Sequence, residues 1–284
     1  MYAYIKSIEY YLPEYKLTNE ELAKLNPQWS VSKIAKKTGI DTRHIAGPNE
    51  CSSDMACKAA EKLFDSGVCE KEDIDYILLC TQSPDYYLPT TACMLQDRLG
   101  LKNSIGALDY NLGCSGFVYG LGLAKGIIET GQAKNVLLIT SETYSKFISN
   151  DDPGVKTIFG DAAAATLISS RIDDSPSILL MNYGTDGRGA QNLIVKNGGM
   201  RNLTENNCDT VSVPKLYMNG PEIFNFTLET VPILVNDTID KLGKGISGID
   251  WFVFHQANSF MLEHLRLKLE IPTDKFVVNM RHCG

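Results

Sequence analysis

The chain has 284 residues, 44% of them apolar and 21% charged, with a formal net charge of -7. That charge, without a basic stripe or an aromatic-basic alternation, argues against nonspecific nucleic-acid binding, and no apolar run reaches bilayer length. No positive-then-apolar leader follows Met1, and the eight cysteines include no C-x-x-C pair, so the expectation is a cytoplasmic globular protein in a reducing compartment, as one large domain or two fused halves.

Along the chain, Lys33, Lys36, Lys37 and Arg43 first form a basic cluster on a short helix and loop. A solvated face is its ordinary meaning; a landing place for an anionic carrier or a phosphate is its functional one. A helix over 53–66 opens with Ser and Asp and closes at Gly67. An apolar strand over 74–80 enters a polar turn, and a helix over 90–101 and a strand over 105–110 follow. The strand leads to Cys114, flanked by Gly113 and Gly116, where a helix with Phe117, Leu121, Ala124 and Ile128 at spacings of three and four begins and stops at Gly131. Free cysteines mostly pack. A thiol at a helix N-terminus, however, meets a partial positive charge and unpaired N–H groups, which lower its pKa and make it a nucleophile suited to acyl chemistry.

Further on, the glycine-rich run 184–189 reads as a hairpin turn, since no helix follows to make it a phosphate loop. A helix over 221–242 starts at Pro221, and Pro232 should kink it. Residues 249–258 (IDWFVFHQAN) align without gaps on 74–83 (IDYILLCTQS). A helix over 259–269, with Leu262, Leu265 and Leu269 on one stripe, and a strand over 276–280 then repeat the order of the first half. Apolar strands alternating with helices imply an α/β fold with a mostly parallel sheet and an internal duplication, with halves at 1–172 and 173–284. Aligning the last strands puts Gly284 at, or one residue before, the counterpart of Cys114, so the second half is expected to be shortened in this chain. His282 and Cys283 with Cys51 or Cys57 lack zinc spacing, and no metal site is expected.

Together these residues resemble the thiolase superfamily, and most closely the ketoacyl-acyl carrier protein synthase III family. Thr38-Gly39-Ile40, Arg43-His44-Ile45-Ala46 and Pro48-Asn49-Glu50 are similar to the family's T-G-I-x-x-R-H-I-A-x-P-N-E segment. Cys114-Ser115-Gly116-Phe117 matches its nucleophile motif, Phe159-Gly160-Asp161-Ala162-Ala163 its F-G-D-G-A segment, and His255-Gln256-Ala257-Asn258 its H-Q-A-N; Met218-Asn219-Gly220 precedes the long helix. The resemblance implies layered thiolase-like α/β halves, α-β-α-β-α, with the C-terminal half incomplete. It departs at three places. Lys33 stands where a Trp often precedes T-G-I, Trp29 lying farther upstream; Phe260 replaces a basic residue after H-Q-A-N; and the Asn of a Cys-His-Asn triad would come after Gly284.

The implied reaction is a decarboxylative Claisen condensation of an acyl-thioester starter with malonyl-acyl carrier protein. Cys114 carries the acyl group and His255 donates a hydrogen bond to the malonyl thioester oxygen. Asn258 is a candidate to orient His255 or bind a pantetheine arm, with a turn-stabilising role its near-equal alternative. Arg43 is a candidate for a coenzyme A phosphate, with a surface salt bridge as the equal alternative. Phe159, Gly220 and Leu88 complete the substrate set, Leu88 on a loop (Tyr86, Tyr87, Leu88, Pro89) that in the family reaches toward the partner's acyl pocket. Coenzyme A thioester enters as substrate rather than cofactor. Acyl carrier protein and a second copy of the chain are the expected partners. Two rival readings stay open: a transferase delivering the acyl group to an amine or hydroxyl acceptor without decarboxylation, and a noncatalytic partner subunit.

Overall fold

The computed structural model describes residues 1–149, 152–201 and 214–284. In chain order the strands and helices are β1 (Tyr2–Tyr11), β2 (Tyr15–Thr18), α1 (Asn19–Leu25), α2 (Val31–Thr38), β3 (Thr42–Ile45), α3 (Ser52–Asp65), β4 (Tyr76–Cys80), α4 (Thr91–Arg98), β5 (Gly106–Tyr110), α5 (Gly116–Glu129) and β6 (Asn135–Glu142). There follow α6 (Pro153–Lys156), β7 (Ala162–Arg171), β8 (Leu193–Val195), β9 (Leu216–Met218), α7 (Gly220–Lys241) and α8 (Ser259–Lys268). The chain divides into two compact units, one of residues 1–15, 44–143 and 161–181, the other of 16–43, 144–160 and 182–284.

The first unit is a sheet of order β1-β7-β6-β4-β5. Its central strands β4 and β6 are apolar on both faces, and the pleat sends alternate residues to opposite cores. Ile77 and Leu79 of β4, with Leu137 and Ile139 of β6, join Met55 and Leu63 of α3. Leu78 and the neighbouring Val136 and Leu138 join Ala124 and Ile128 of α5 on the other face. The sheet is mixed rather than mostly parallel: β4 pairs parallel with β5 and β6, whereas β7 runs antiparallel to both β1 and β6. A polar-apolar β1 can lie at an edge, and its partner is some 160 residues away, a pairing that leaves no local mark in the sequence.

In the second unit, Thr38 and Gly39 end α2. The Thr38 hydroxyl donates to Ile34 O (2.8 Å) and accepts from Ile40 N (3.1 Å), and Gly39 takes φ +75° as the left-handed cap. A Cβ on Gly39 would lie 2.6 Å from Ser259 Cβ, so α2 can meet the start of α8 only over a glycine. Ile40 then enters a core with Ile239, Phe252, Leu262, Phe276 and Met280. The strands expected over 249–254 and 276–280 are reduced to one parallel bridge, Phe252 with Phe276. The Gln256 amide takes the groups a longer ladder would pair: Nε2 donates to Phe254 O (2.9 Å) and Val277 O (3.2 Å), and Oε1 accepts from Asn279 N (2.7 Å).

Residues 184–189 are likewise not a hairpin turn. Asp186 caps a 3-10 turn (Gly187–Asn192) and pairs with Arg188 at 2.6 Å, and the hairpin-like pairing is that of β8 with β9. The helix containing Pro232 runs unbroken from Gly220 to Lys241. Proline removes the N–H that would reach Leu228 O, and the Lys268 ammonium donates to that carbonyl instead, at 2.7 Å. Lys268→Met is expected to lower stability by about 1 kcal/mol, the scale of one such bond, read as a shift in the urea midpoint. A second substitution, Pro232→Ala, should remove most of that loss by restoring the backbone donor.

Candidate functional site

Cys114 is exposed, on a turn that ends two residues later at Gly116, the first residue of α5. The turn is closed by Gly116 N donating to Gly113 O at 2.8 Å. Close approach dictates the glycines that follow. A Cβ on Gly116 would stand 2.2 Å from Cys80 Sγ, and one on Gly120 would stand 2.3 Å from Tyr110 Oη and 2.5 Å from Leu138 Cδ1. The helix start is thereby pressed onto the carboxyl ends of β4 and β5, the edge at which open α/β sheets present ligand sites.

Leu88 lies in the same unit, 84% exposed beside exposed Tyr86 and Tyr87. The side chains of Tyr86, Leu88 and Thr90 share a cleft with Thr81, Asp109 and Tyr110. Three carboxylates absent from the sequence reading pin this loop. Glu142 accepts from Gln82 N (2.7 Å) and Ser83 Oγ (2.8 Å), and Ser83 Oγ accepts in turn from Thr143 N (2.8 Å). Asp85 accepts from Ser53 N (3.0 Å) and Ser53 Oγ (2.6 Å) at the start of α3. Asp109 accepts from Thr91 N (2.6 Å) and Ala92 N (2.7 Å) at the start of α4. Carboxylates belong at helix N-termini because they meet unpaired N–H groups and a favourable dipole. The sequence signal was weak, since each pairs with a residue remote along the chain.

Burial pushes the Glu142 carboxyl up to about 7, against the lowering effect of its bonds to Ser83 and Gln82, and Asp161 adds a smaller upward push. A folded-state pKa raised above the unfolded one stabilises the fold fully below about 4.5, and that contribution is lost as pH rises through about 7. Glu142→Gln is therefore expected to gain on the native protein between pH 5 and pH 8 by about 2 kcal/mol, allowing for partial exposure. Urea unfolding at the two pH values checks this; an equal difference at both would refute it.

The other candidates lie in the second unit. Arg43 is fully buried, with Nε donating to Thr157 O at 3.0 Å, Nη1 to Asn19 Oδ1 at 2.6 Å and Nη2 to Thr157 O. Burial lowers its pKa to about 10, with Asp41 opposing. Its assignment as a phosphate contact or a surface salt bridge gives way to that of a buried organiser, because a guanidinium with no exposed surface offers no edge to a ligand. Phe159, two residues beyond that anchored carbonyl, stacks on Tyr144 at 5.2 Å. Gly220 is the first residue of α7, whose cap Asn219 accepts from Glu222 N at 3.4 Å. His255 is exposed, and Asn258 caps α8, its Oδ1 accepting from Met261 N at 2.8 Å. That cap engages the Asn258 carbonyl oxygen in the turn-stabilising role. In the first unit, Asp161 N donates to His44 O (2.7 Å) and Asp161 Oδ2 accepts from Ala46 N (2.8 Å), so Asp161 clasps the backbone of His44 and Ala46.

Among the described residues no group of three or more His, Cys, Asp or Glu is arranged to hold a metal, and no helix is long and apolar enough to cross a membrane.

The two-faced α/β sheet carries an exposed cysteine turn at its carboxyl edge, where open α/β sheets present ligand sites. Residues 108–187 match the family 3-Oxoacyl-[acyl-carrier-protein (ACP)] synthase III, and 239–284 match its C-terminal family. The chain is 35% identical over 277 residues to the beta-ketoacyl-[acyl-carrier-protein] synthase III of Caldanaerobacter subterraneus subsp. tengcongensis, covering 96% of this chain and 82% of that one. It is 34% identical over 287 residues to that of Neisseria meningitidis serogroup B, covering 100% of this chain and 86% of that one. A solved 3-oxoacyl-(acyl-carrier-protein) synthase III superposes with a TM-score of 0.94 at 47% identity, over 100% of this chain and 87% of the other. The synthase of Burkholderia xenovorans gives 0.91 at 36%, over 100% and 82%. The chain belongs to the beta-ketoacyl-acyl carrier protein synthase III family: it is a condensing enzyme, an acyltransferase of fatty acid biosynthesis.

Proposed function

We propose that the chain joins an acyl starter carried on coenzyme A to malonyl-acyl carrier protein through an acyl group held on Cys114. The Cys114 thiolate attacks the thioester carbonyl, the thioester C–S bond breaks, and coenzyme A leaves as the thiol after taking a proton. The malonyl group then loses carbon dioxide. The enolate so formed, its oxygen hydrogen-bonded by His255, attacks the acyl carbonyl, and the Cys114 thiolate leaves. One observation carries this reading: in a chain of this family, Cys114 stands exposed at the start of α5. Asn258 and Arg43 act as positioning groups, while Phe159, Gly220 and Leu88 belong to the substrate surface. The thioester is a substrate and no cofactor is required. The protein works in the cytoplasm as a homodimer, the Tyr86 to Pro89 loop facing the second copy, with halves at 1–172 and 173–284.

A second reading is favoured by Phe260. It is half exposed and packs on Phe224 and His264 where the family often carries a basic residue for the carrier. An acceptor other than acyl carrier protein would suit that surface. Incubating the protein with acyl-coenzyme A, weighing the intact chain, and then adding malonyl-acyl carrier protein separates the readings. Acyl mass on Cys114 followed by released carbon dioxide supports the condensation. Acyl mass without carbon dioxide supports transfer to another acceptor, and absence of acyl mass defeats both.

A further inference from the structure

The last rung of the parallel ladder between β4 and β5 is Cys80 with Tyr110. The Cys80 thiol, 3% exposed, donates to Leu112 O at 3.0 Å, and the Tyr110 hydroxyl donates to Gly116 O at 2.8 Å. Those two carbonyls stand two residues before and two residues after Cys114. With Gly116 N bonded to Gly113 O, the turn is closed on itself and gripped at both ends by neighbouring strand termini. Gly116 and Gly120 are the hollows into which the sulfur and the phenol oxygen fit. Filling space alone would need neither polar atom, since Val and Phe have similar volumes.

We propose that Cys80 and Tyr110 are positioning residues for the nucleophile, holding the turn so that Cys114 faces the first amides of α5; the proposal rests on Cys114 being the nucleophile. Burial raises the Cys80 thiol to about 11 and also pushes the Tyr110 phenol up, so both stay protonated donors across any working pH. Losing either donor frees one end of the turn, and the sulfur drifts from the helix dipole that favours its thiolate.

The test is alkylation of the full chain by iodoacetamide, followed by mass on the Cys114 peptide across a pH series, with urea midpoints alongside. Tyr110→Phe and Cys80→Ala should each slow alkylation at pH 7 about three- to tenfold, the loss expected of one hydrogen bond, and move the inflection to higher pH. Cys80→Ser, which keeps a donor, should recover most of the rate; a merely packing role would move neither the inflection nor this rescue. Alkylation of both Tyr110→Phe and Cys80→Ala at or above the native rate, with an unchanged inflection, would overturn the proposal. Incubation with acyl-coenzyme A tests the underlying reading separately. If the native chain takes up no acyl mass at Cys114, the nucleophile assignment falls; if it does and the two variants alkylate like the native chain, only the positioning role falls.

Discussion

Cys114→Ala is expected to lower the turnover of condensation by at least about 10⁴-fold, because it deletes the atom that would carry the acyl group between the two half-reactions. The fold should be indifferent. Cys114 is exposed, and replacing an exposed side chain outside caps and cores typically changes stability by no more than about 0.5 kcal/mol. The remaining activity would come from whatever binding and polarisation the site offers a thioester without a covalent stage. Steady-state formation of the 3-oxoacyl product on acyl carrier protein, together with a urea midpoint, measures both quantities. A variant within tenfold of the native rate would show that the acyl group does not reside on this sulfur. The same variant should take up no acyl mass from acyl-coenzyme A, which ties the kinetic loss to the missing intermediate rather than to a distorted site.

The parts of this protein readable from its sequence are those written in short periods. Ile77, Leu78 and Leu79 announce a strand buried on both faces, and the structure sends Leu78 to one core and its two neighbours to the other. The helix expected over 53–66 runs from Ser52 to Asp65, ending before Gly67 at φ +72°. What the sequence did not reveal depends on contacts remote along the chain. Antiparallel β1 and β7 meet across most of the first unit, and Glu142 anchors Gln82 and Ser83 from the far end of β6. The repeat of 74–83 in 249–258 correctly marked a second parallel contact, but its length was overestimated, because Gln256 satisfies with its side chain the backbone groups that a longer strand would have paired. Gly116 stands out beside Cys114 in the sequence, and Gly120 follows one turn later. Their cause, a sulfur and a phenol oxygen pressed against the helix, required the fold.

Arg43 shows why charge read along a sequence misleads about charge in space, and its removal is expected to be the most damaging change to the second unit. It lies five residues beyond Thr38, the last residue of α2, whose Lys33 and Lys36 face solvent, yet Arg43 itself is enclosed. Its guanidinium ties Thr157 O, at the root of the Phe159 segment, to Asn19 Oδ1 at the start of α1. Arg43→Met fills similar volume but leaves Thr157 O and the buried Asn19 side-chain oxygen without these donors. A buried acceptor stripped of its partner costs about 1–3 kcal/mol, so a loss of about 3 kcal/mol is expected, offset in part by no longer burying a cation. Arg43→Lys should recover little, since an ammonium cannot present two parallel donors to Thr157 O and a third to Asn19 together. Urea unfolding of the three proteins tests this, and a loss below about 1 kcal/mol in Arg43→Met would mean that the guanidinium does not organise the segment.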